Sequence, residues 1–266
     1  MKIRVVSDLH VNINKELSPF WNKKDDILTL IAGDVSNRIT TTRKYLSKNF
    51  KRCIFIEGNH ILYPTKNIFP IQHIYEKLKN NFPKKSDITF LQDSYKIIDD
   101  VCFIGTTLWT DFSYVNSKEA KEQGEEFFKN SKMKHAVYID NHGRVKKVSI
   151  EFFGSIYKKS LAYIYKTSKK FPDKKIVLIF HHAISKKSID PKYLNHPSLP
   201  SVLTDIAEQL VDSIPNLKLI IHGHVHQSHD YWIKNVRVIC NPCGIVNKEP
   251  KLSENPNFNK DFIVEI

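Results

Sequence analysis

The sequence lacks any apolar run long enough to cross a membrane. Its longest apolar stretches, such as 176–180 and 217–221, contain only a handful of residues, whereas a transmembrane helix needs about 20. The amino terminus, MKIRVVSDLH, also lacks the apolar core of a secretion signal, and its pattern predicts a first β-strand. We therefore expect a cytoplasmic protein with no membrane partner.

Cysteine is scarce. The four cysteines, Cys53, Cys102, Cys240 and Cys243, are too few for a disulfide scaffold in a chain of 266 residues. Cys240 and Cys243 have the spacing of half a structural zinc site, but the sequence offers no second pair to complete it. We therefore expect reduced thiols and no redox chemistry.

Acidic residues are outnumbered. The chain has 28 Asp and Glu against 41 Lys and Arg, which gives a net charge of +13. Such a charge favours anionic partners, including phosphates and nucleic acids. However, the basic residues are mostly scattered lysines, and arginine is the residue that usually reads phosphates and bases in a bidentate manner. A general enrichment of solvated faces in lysine is therefore the favoured explanation.

No internal repeat or low-complexity linker interrupts the sequence, so a single domain over 1–266 is predicted. Runs of Val, Ile and Leu alternate with amphipathic stretches, a pattern typical of α/β proteins. Strands are predicted at 3–7, 27–32, 53–57, 89–91, 95–98, 101–105, 176–180, 217–221, 231–233, 236–240 and 262–266. Helices are predicted at 40–49, 68–80, 117–130, 154–170 and 199–213.

One segment between the strands is markedly basic. Residues 118–175 contain fifteen Lys or Arg and seven Asp or Glu, a net charge of +8. We expect a basic helical cap at about 113–175. The alternative is that these are ordinary surface helices with lysines on their solvated faces.

Metal-binding side chains follow five of the predicted strands. In an α/β sheet, side chains at the carboxyl ends of strands converge on one crevice, where such folds place their ligand sites. The donors are nitrogen and oxygen atoms without any cysteine, which suits Mn, Fe, Zn or Ni. These clusters are Asp8-Leu9-His10, Gly33-Asp34, Gly58-Asn59-His60, His181-His182 and His222-Gly223-His224-Val225-His226.

The ordered set D-x-H, G-D, G-N-H, H and G-H-x-H resembles the calcineurin-like metallophosphoesterases. The motifs extend from Asp8 to His226, and two further stretches, G-T-T-L-W at 105–109 and N-P-C-G at 241–244, are similar to elements of a bacterial small-enzyme branch. The resemblance implies an α/β fold, a four-layer αββα sandwich of two mixed β-sheets flanked by helices. It also implies two divalent metal ions in the crevice.

The resemblance also implies a ligand set. Asp8, His10 and His226 would bind the first metal, and Asn59, His181 and His224 the second, with Asp34 bridging both. Two adjacent cations need a shared carboxylate to relieve their repulsion, and they acidify a bridging water. The implied reaction is hydrolysis of a phosphate ester, in which a hydroxide that bridges the metals attacks phosphorus.

His60 is the expected general acid that protonates the leaving oxygen. The alternative is that it only orients Asn59 or Asp8. The sequence departs from the common pattern directly after it, where Ile61 stands in place of the acidic residue that many relatives carry. Ala183 and Ile184 likewise replace the proline that often follows the histidine pair.

Several residues near the motifs have competing interpretations. His182 and His222 flank predicted ligands, and we expect them to lie outside the ligand set because adjacent residues on a strand face opposite sides. Trp109, Phe112 and Tyr114 would suit stacking on a base, although aromatic residues after a strand are more often part of the core.

The leading functional hypothesis is a metal-dependent phosphoesterase acting on a phosphorylated small molecule or a nucleotide. One alternative is a phosphodiesterase or nuclease, for which the net charge makes nucleic acid the candidate partner. Another is a scaffold that binds metal without catalysis. Because all seven ligand positions hold a suitable donor, a working site is favoured over the scaffold.

Overall fold

The computed structural model describes residues 1–14, 21, 26–62, 70–82, 87–114, 118–130, 137–139, 145–147, 149–246 and 253–266. Its strands are β1 (Lys2–Val6), β2 (Leu28–Ala32), β3 (Cys53–Ile56), β4 (Ile88–Phe90), β5 (Ser94–Ile98), β6 (Val101–Gly105), β7 (Val137–Ile139), β8 (Val145–Lys147), β9 (Lys175–Ile179), β10 (Leu217–His222), β11 (His229–Ile233), β12 (Val236–Cys240) and β13 (Ile263–Glu265). Its α-helices are α1 (Ile39–Asn49), α2 (Ile71–Asn81), α3 (Lys118–Asn130), α4 (Ile150–Lys170) and α5 (Ala207–Ser213).

The strands form two mixed sheets and one small hairpin. The first sheet has the order β13-β1-β2-β3-β4, with β13 antiparallel to β1 and the other neighbours parallel. The second has the order β11-β12-β10-β9-β6-β5, in which the central strands are parallel and both edge pairs are antiparallel. Strands β7 and β8 pair only with each other among the described residues.

Three apolar clusters hold the layers together. The inner faces of the two sheets meet in a cluster that includes Val5, Phe103 and Ile221. Helices α1 and α2 cover the outer face of the first sheet, and α4 and α5 cover the outer face of the second. This arrangement is a four-layer αββα sandwich, which confirms the predicted fold class. Burial on both faces explains why strands such as β2 are apolar throughout.

All eleven predicted strands are present, with ends that shift by no more than two residues. The prediction of a helix at 199–213 is wrong for the first half of that range. Leu199–Ser201 forms a single 3-10 turn, and the following backbone pairs with a neighbouring loop, because the N–H groups of Thr204 and Ala207 donate to Ala183 and Ile184. Only Ala207–Ser213 is α-helical. Residues 68–69 and 117, predicted as helical, lie outside the described residues.

The basic segment divides into two parts. Helix α4 packs on the second sheet as part of the outer layer, through residues such as Tyr157 and Ile164, and it begins at a Ser149 N-cap rather than at residue 154. Helix α3 instead lies against the turn at 197–201, where Gly124 approaches Pro200. A cap over 113–175 remains a prediction. None of the described helices is long and apolar enough to span a bilayer.

Candidate metal centre

The loops after β1, β2, β3, β9 and β10 meet at one end of the two sheets. Backbone hydrogen bonds connect them: the N–H of Asp8 donates to Gly33 at 3.0 Å, that of His10 donates to Asp34 at 3.0 Å, and that of Gly223 donates to His181 at 3.0 Å. The side chains that follow these strands are thereby gathered into one crevice, as the strand polarity predicts.

The two further motifs, at 105–109 and 241–244, form hydrogen bonds that hold these loops in place. The N–H of Gly244, in N-P-C-G, donates to the carbonyl of Asp8 at 3.0 Å. Thr107, in G-T-T-L-W, donates its hydroxyl to the carbonyl of Glu57 at 2.9 Å and accepts the N–H of His181 at its own carbonyl, at 3.2 Å. Both motifs therefore position predicted ligands without contributing one.

Backbone strain concentrates at the crevice. Five predicted ligands adopt the left-handed region, with φ between 44° and 71°, where a non-glycine residue carries an energetic cost. Such conformations persist only where the surrounding structure fixes them. The strained residues are Asp8, His10, Asp34, His224 and His226.

The glycines before the predicted ligands are required by close packing. Gly33 has φ of 94°, and a Cβ there would lie 2.3 Å from Nδ1 of His181. A Cβ at Gly58 would lie 2.1 Å from Oδ1 of Asp34. The G-D and G-N-H motifs therefore owe their glycines to the compactness of the donor cluster.

Asp8, His10 and His226 form the first group of donors. Nε2 of His226 lies 3.4 Å from Oδ1 of Asp8 and 3.0 Å from Nε2 of His10, and Nε2 of His10 lies 4.0 Å from the same Asp8 oxygen. The three ligand atoms are close enough to bind one metal ion. The N–H of His224 donates to both oxygens of Asp8 at 3.1 Å, which fixes the carboxylate.

Asn59, His181 and His224 form the second group. Oδ1 of Asn59 lies 2.8 Å from Nε2 of His181 and 3.0 Å from Nδ1 of His224. Nδ1 of His181 donates to the carbonyl of Ala32 at 2.9 Å, which leaves Nε2 as the nitrogen that would bind a metal. His224 joins this group through Asn59.

Asp34 lies between the two groups. Its Oδ1 accepts the N–H of His60 at 3.1 Å. Its Oδ2 is 3.4 Å from Nε2 of His181 and 4.0 Å from Nε2 of His10. This oxygen is buried and has no hydrogen-bond partner among the described residues. A buried carboxylate oxygen without a donor is costly, and a cation would satisfy it.

Sequence comparison identifies the family. The model of the calcineurin-like phosphoesterases matches residues 1–228. The chain belongs to this family. It is therefore a metallophosphoesterase, and the family's divalent metals suit the nitrogen and oxygen donors of the crevice. The chain is also 24% identical, over 99% of its length and 96% of the relative's, to an uncharacterised protein of Acanthamoeba polyphaga mimivirus.

Solved structures share the fold. Phosphopantetheinyl hydrolase from Mycobacterium tuberculosis aligns with a TM-score of 0.68 and 20% identity, over 91% of this chain and 88% of that one. A dimetal phosphatase from Danio rerio aligns with a TM-score of 0.53 and 10% identity, over 90% and 86% of the two chains. At these identities the likeness concerns the fold alone.

The carboxylates of this phosphoesterase are ionised despite their burial. Burial by itself raises the pKa of Asp34, but the nearby imidazoles of His181, His60 and His10 outweigh it and hold that pKa well below its usual value. Burial is likewise the largest effect on Asp8, yet His226 lowers its pKa overall. Both groups are thus available as anionic ligands at neutral pH.

The charge of the carboxylates is balanced by two imidazoles. Burial lowers the pKa of His181, but Asp34 more than compensates and raises it to about 9. The pKa of His226 rises to about 10, because its contacts with Asp8 and Glu254 outweigh burial. At neutral pH these two histidines carry protons that a metal ion must displace.

Glu57 is a second buried carboxyl next to the crevice. Burial, followed by the charge of Asp34, raises its pKa well above the usual value. Its Oε1 accepts the N–H of Gly58 at 3.3 Å. The neutral form of Glu57 is therefore favoured, in contrast to the ionised Asp34.

His60 lies at the edge of the crevice. Its side chain is 25% exposed, and its Nε2 is 3.8 Å from Oδ2 of Asp34. His10, Asp34 and His60 also form a group close enough to bind a metal ion. Burial lowers the pKa of His60. The adjacent Ile61 is buried in the core and makes no charged contact.

Sequence reasoning missed Glu254. Oε2 of Glu254 lies 2.5 Å from Nδ1 of His226 and accepts the N–H of Ile245 at 2.9 Å. A carboxylate on the far nitrogen of a metal-binding histidine fixes the ring and its tautomer. A lone Glu in a polar stretch beyond the last motif gives no local signal of this contact.

His182 and His222 lie outside the donor groups, as expected. Nδ1 of His182 contacts the carbonyl of Thr107 at 3.3 Å, and its ring packs on His224 with centroids 4.6 Å apart. Nε2 of His222 contacts Ser188 Oγ at 2.8 Å. Trp109 and Phe112 are buried against Phe153, so they belong to the core and offer no surface for a base.

Proposed function

We propose that this phosphoesterase hydrolyses a small phosphate ester or a nucleotide with two divalent metal ions. In this proposal Asp8, His10 and His226 bind one ion, Asn59, His181 and His224 bind the other, and Asp34 binds both. The observation that carries the proposal is Oδ2 of Asp34, which is buried between the two donor groups with no hydrogen-bond partner among the described residues.

The charge of the donor set suits an anionic substrate. The proposed ligands comprise two carboxylates, one neutral amide and four imidazoles. When bound, divalent ions would polarise phosphoryl oxygens and make a water acidic enough to supply the nucleophile. Because two carboxylates neutralise only half the charge of two such ions, the crevice retains a positive charge that attracts phosphate.

His60 supplies the proton for the leaving oxygen in this proposal. Its backbone N–H is held by Asp34, which fixes the residue next to the donor groups, while its partly exposed ring faces the crevice edge. Burial lowers the pKa of His60, so the protonated ring that would act as the acid is favoured toward lower pH. Ile61 packs in the core and offers no acidic support. Asp34 contacts His60, and so does the ring of His10, whose centroid lies 4.5 Å from that of the His60 ring.

The adjoining cleft suits a small substrate. A cavity of about 550 Å³ lies beside His224 and His226, between the loop at 189–202 and the segment at 254–257. This volume lies within the range of small-molecule sites, roughly 300 to 1,000 Å³. A substrate whose phosphate occupied the metal centre would extend its leaving group into this cleft.

The lysines at the end of α4 do not favour a nucleic-acid substrate. Lys170 contacts Tyr95 at 3.4 Å, and Lys174 contacts the carbonyl of Asp99 at 3.2 Å. These contacts lie at the amino end of β9, whereas the crevice lies at its carboxyl end. The basic end of α4 therefore faces away from the metal centre, and a backbone-tracking groove is not supported.

The test is hydrolysis of p-nitrophenyl phosphate and its bis ester by protein stripped with a chelator and then reloaded with manganese. We expect activity that vanishes on stripping and returns with metal. Weak dependence of that activity on salt would agree with a small substrate. A stripped and reloaded protein that hydrolyses neither ester would favour the silent scaffold and contradict the proposal.

A further inference from the structure

We propose that the cleft beside His224 and His226 binds an uncharged planar ring on the leaving group, with Tyr193 as the stacking surface. The substrate class is then a nucleoside phosphate, in which the base occupies the cleft and the phosphate reaches the metal centre. This inference rests on the proposed function and specifies its substrate.

One part of the cleft wall is apolar and adjoins the metal centre. Ile189, Leu199, Val202 and Val225 line it, and all four are buried or half-buried. His224 and His226 form its boundary on the side of the crevice. An apolar wall that begins at the phosphate site favours a hydrophobic group attached directly to the phosphate-bearing part of the substrate.

The charges along the cleft are already paired. Nζ of Lys192 lies 3.0 Å from Oδ2 of Asp190, and Glu254 is engaged by His226 at 2.5 Å. These are the formally charged Asp, Glu and Lys side chains among the described residues that line the cleft. Because each of these charges already has a partner within the protein, the cleft favours an uncharged occupant over a second phosphate.

Tyr193 gives this wall a phenol ring. The imidazole of His196, which also lines the cleft, has its centroid 5.9 Å away, and Nζ of Lys192 lies 4.9 Å from the centroid of the phenol ring. The side chain of Tyr193 is 50% exposed, unlike the buried aromatic residues of the core. The turn that carries it is fixed, because the N–H of Tyr193 donates to the carbonyl of Asp190 at 2.8 Å and the Asp190 carboxylate accepts the N–H of Lys192 at 3.1 Å. An ordered, exposed ring is suited to stacking on a base.

Neutral amides complete the cleft. Gln227 and Asn257 are exposed and line the same cavity as Tyr193. Each amide offers both a donor and an acceptor, which suits the edge of a heterocyclic base better than that of a hydrocarbon ring. The combination of a stacking ring, an apolar floor and neutral hydrogen-bonding groups is typical of sites for nucleosides.

The experiment measures competitive inhibition of p-nitrophenyl ester hydrolysis by AMP and by ribose 5-phosphate. The two inhibitors share the same phosphate and sugar and differ only in the base, so the ratio of their inhibition constants isolates the contribution of the base. We expect AMP to inhibit more strongly in the wild type. In Tyr193→Ala this advantage should fall by roughly 5- to 150-fold, the range for one base on one aromatic ring.

Two variants sharpen the result. Tyr193→Phe keeps the ring and should keep the preference for AMP. Trp232→Ala removes an exposed aromatic residue on β11 that does not line the cleft, and it should leave the ratio unchanged. Equal inhibition by the two compounds, or a ratio that survives Tyr193→Ala, would overturn the inference while leaving the proposed function intact. If the reloaded protein hydrolyses no ester, the proposed function itself fails, and the inference fails with it.

Discussion

Two histidines near the end of β10, buried His222 and half-buried His224, differ in whether the polar atoms around them have hydrogen-bond partners. His222 contacts the Ser188 hydroxyl at 2.8 Å through Nε2 and the carbonyl of Gly223 at 3.1 Å through Nδ1, and Ser188 contacts Tyr231 at 2.8 Å. In this closed network, both ring nitrogens of His222 and the hydroxyls of Ser188 and Tyr231 have a hydrogen-bond partner. His224, two residues later, lies in the crevice whose Asp34 oxygen has no partner among the described residues.

The comparison shows what distinguishes a metal site from an ordinary polar cluster in a core. Burial lowers the pKa of His222 to about 4, so the ring is neutral and its hydrogen bonds are complete. In the crevice, by contrast, two ionised carboxylates face histidines whose protons can be displaced. Burial of histidine is common to both groups, whereas a charged oxygen without a donor occurs only beside His224.

The largest effect is expected at Asp34. Asp34→Asn keeps the size of the side chain but removes the charge that the proposal assigns to both metals. Because metal ions contribute several kcal/mol to phosphoryl transfer, kcat/KM should fall by at least about 1,000-fold. Steady-state hydrolysis of p-nitrophenyl esters measures the effect. Asp230→Asn, at the exposed partner of Arg237, is the matched control, and an equal loss in the two variants would refute the special role of Asp34.

His60 distinguishes catalysis from metal binding. For a general acid, His60→Asn should lower kcat by roughly 100- to 10,000-fold while leaving the metal content unchanged. The measurement combines kcat with metal analysis of the same preparation. His73→Asn, on the exposed side of α2, serves as the control. If the His60 variant loses metal in proportion to activity, the residue is a ligand and its proposed role is wrong.

Metal affinity should rise steeply with pH. His181 and His226 have pKa values of about 9 and about 10 in the metal-free protein, so both are protonated at pH 7 and must release a proton on binding. Two displaced protons predict roughly a 100-fold gain in affinity per pH unit below about pH 9. Titration calorimetry in buffers of different ionisation enthalpy counts these protons. Binding without proton release would contradict the charge assignment.

Glu254 is expected to have a smaller effect. Glu254→Gln weakens the contact that fixes the His226 ring, and loss of such a partner typically lowers metal affinity by roughly 10- to 100-fold. Direct titration of stripped protein with manganese measures this affinity without reference to activity. Glu208→Gln, at an exposed position of α5, should leave it unchanged. An unaltered metal affinity in the Glu254 variant would show that this carboxylate does not support metal binding by His226.

The smallest effect belongs to the closed network. Ser188→Ala removes the hydroxyl that contacts both buried His222 and half-buried Tyr231, which should cost about 1–3 kcal/mol of unfolding free energy. Chemical denaturation measures this cost, and metal content should be unchanged. Loss of metal from this variant would remove the distinction between the two histidine groups.

The sequence allowed the layers and the donor groups to be predicted because both follow from local pattern. Apolar strands determine the sheets, and the polarity of parallel strands brings their carboxyl ends together, so Asp8 and His181 could be placed in one crevice despite their separation. The ends of helices were harder. The stretch at 199–206 has helical periodicity, but its local hydrogen bonds end at Leu203, and the N–H of Thr204 pairs with the loop after β9 instead.

Glu254 and the cleft could not be predicted for a different reason. Their contacts depend on where the chain returns after β12, and nothing in the polar stretch around Glu254 indicates that it reaches His226. Tyr193 is similarly a single aromatic residue in a loop. Whether its ring can contact a substrate depends on the cavity that the surrounding residues form. Tertiary packing, rather than periodicity, determines these features.

The most direct test of the two-metal proposal is a count of bound ions. Protein stripped with a chelator, saturated with manganese and desalted would be analysed for metal by mass spectrometry against a measured protein concentration. The arrangement around Asp34 predicts two ions per chain. A single ion, or none, in a folded preparation would contradict it.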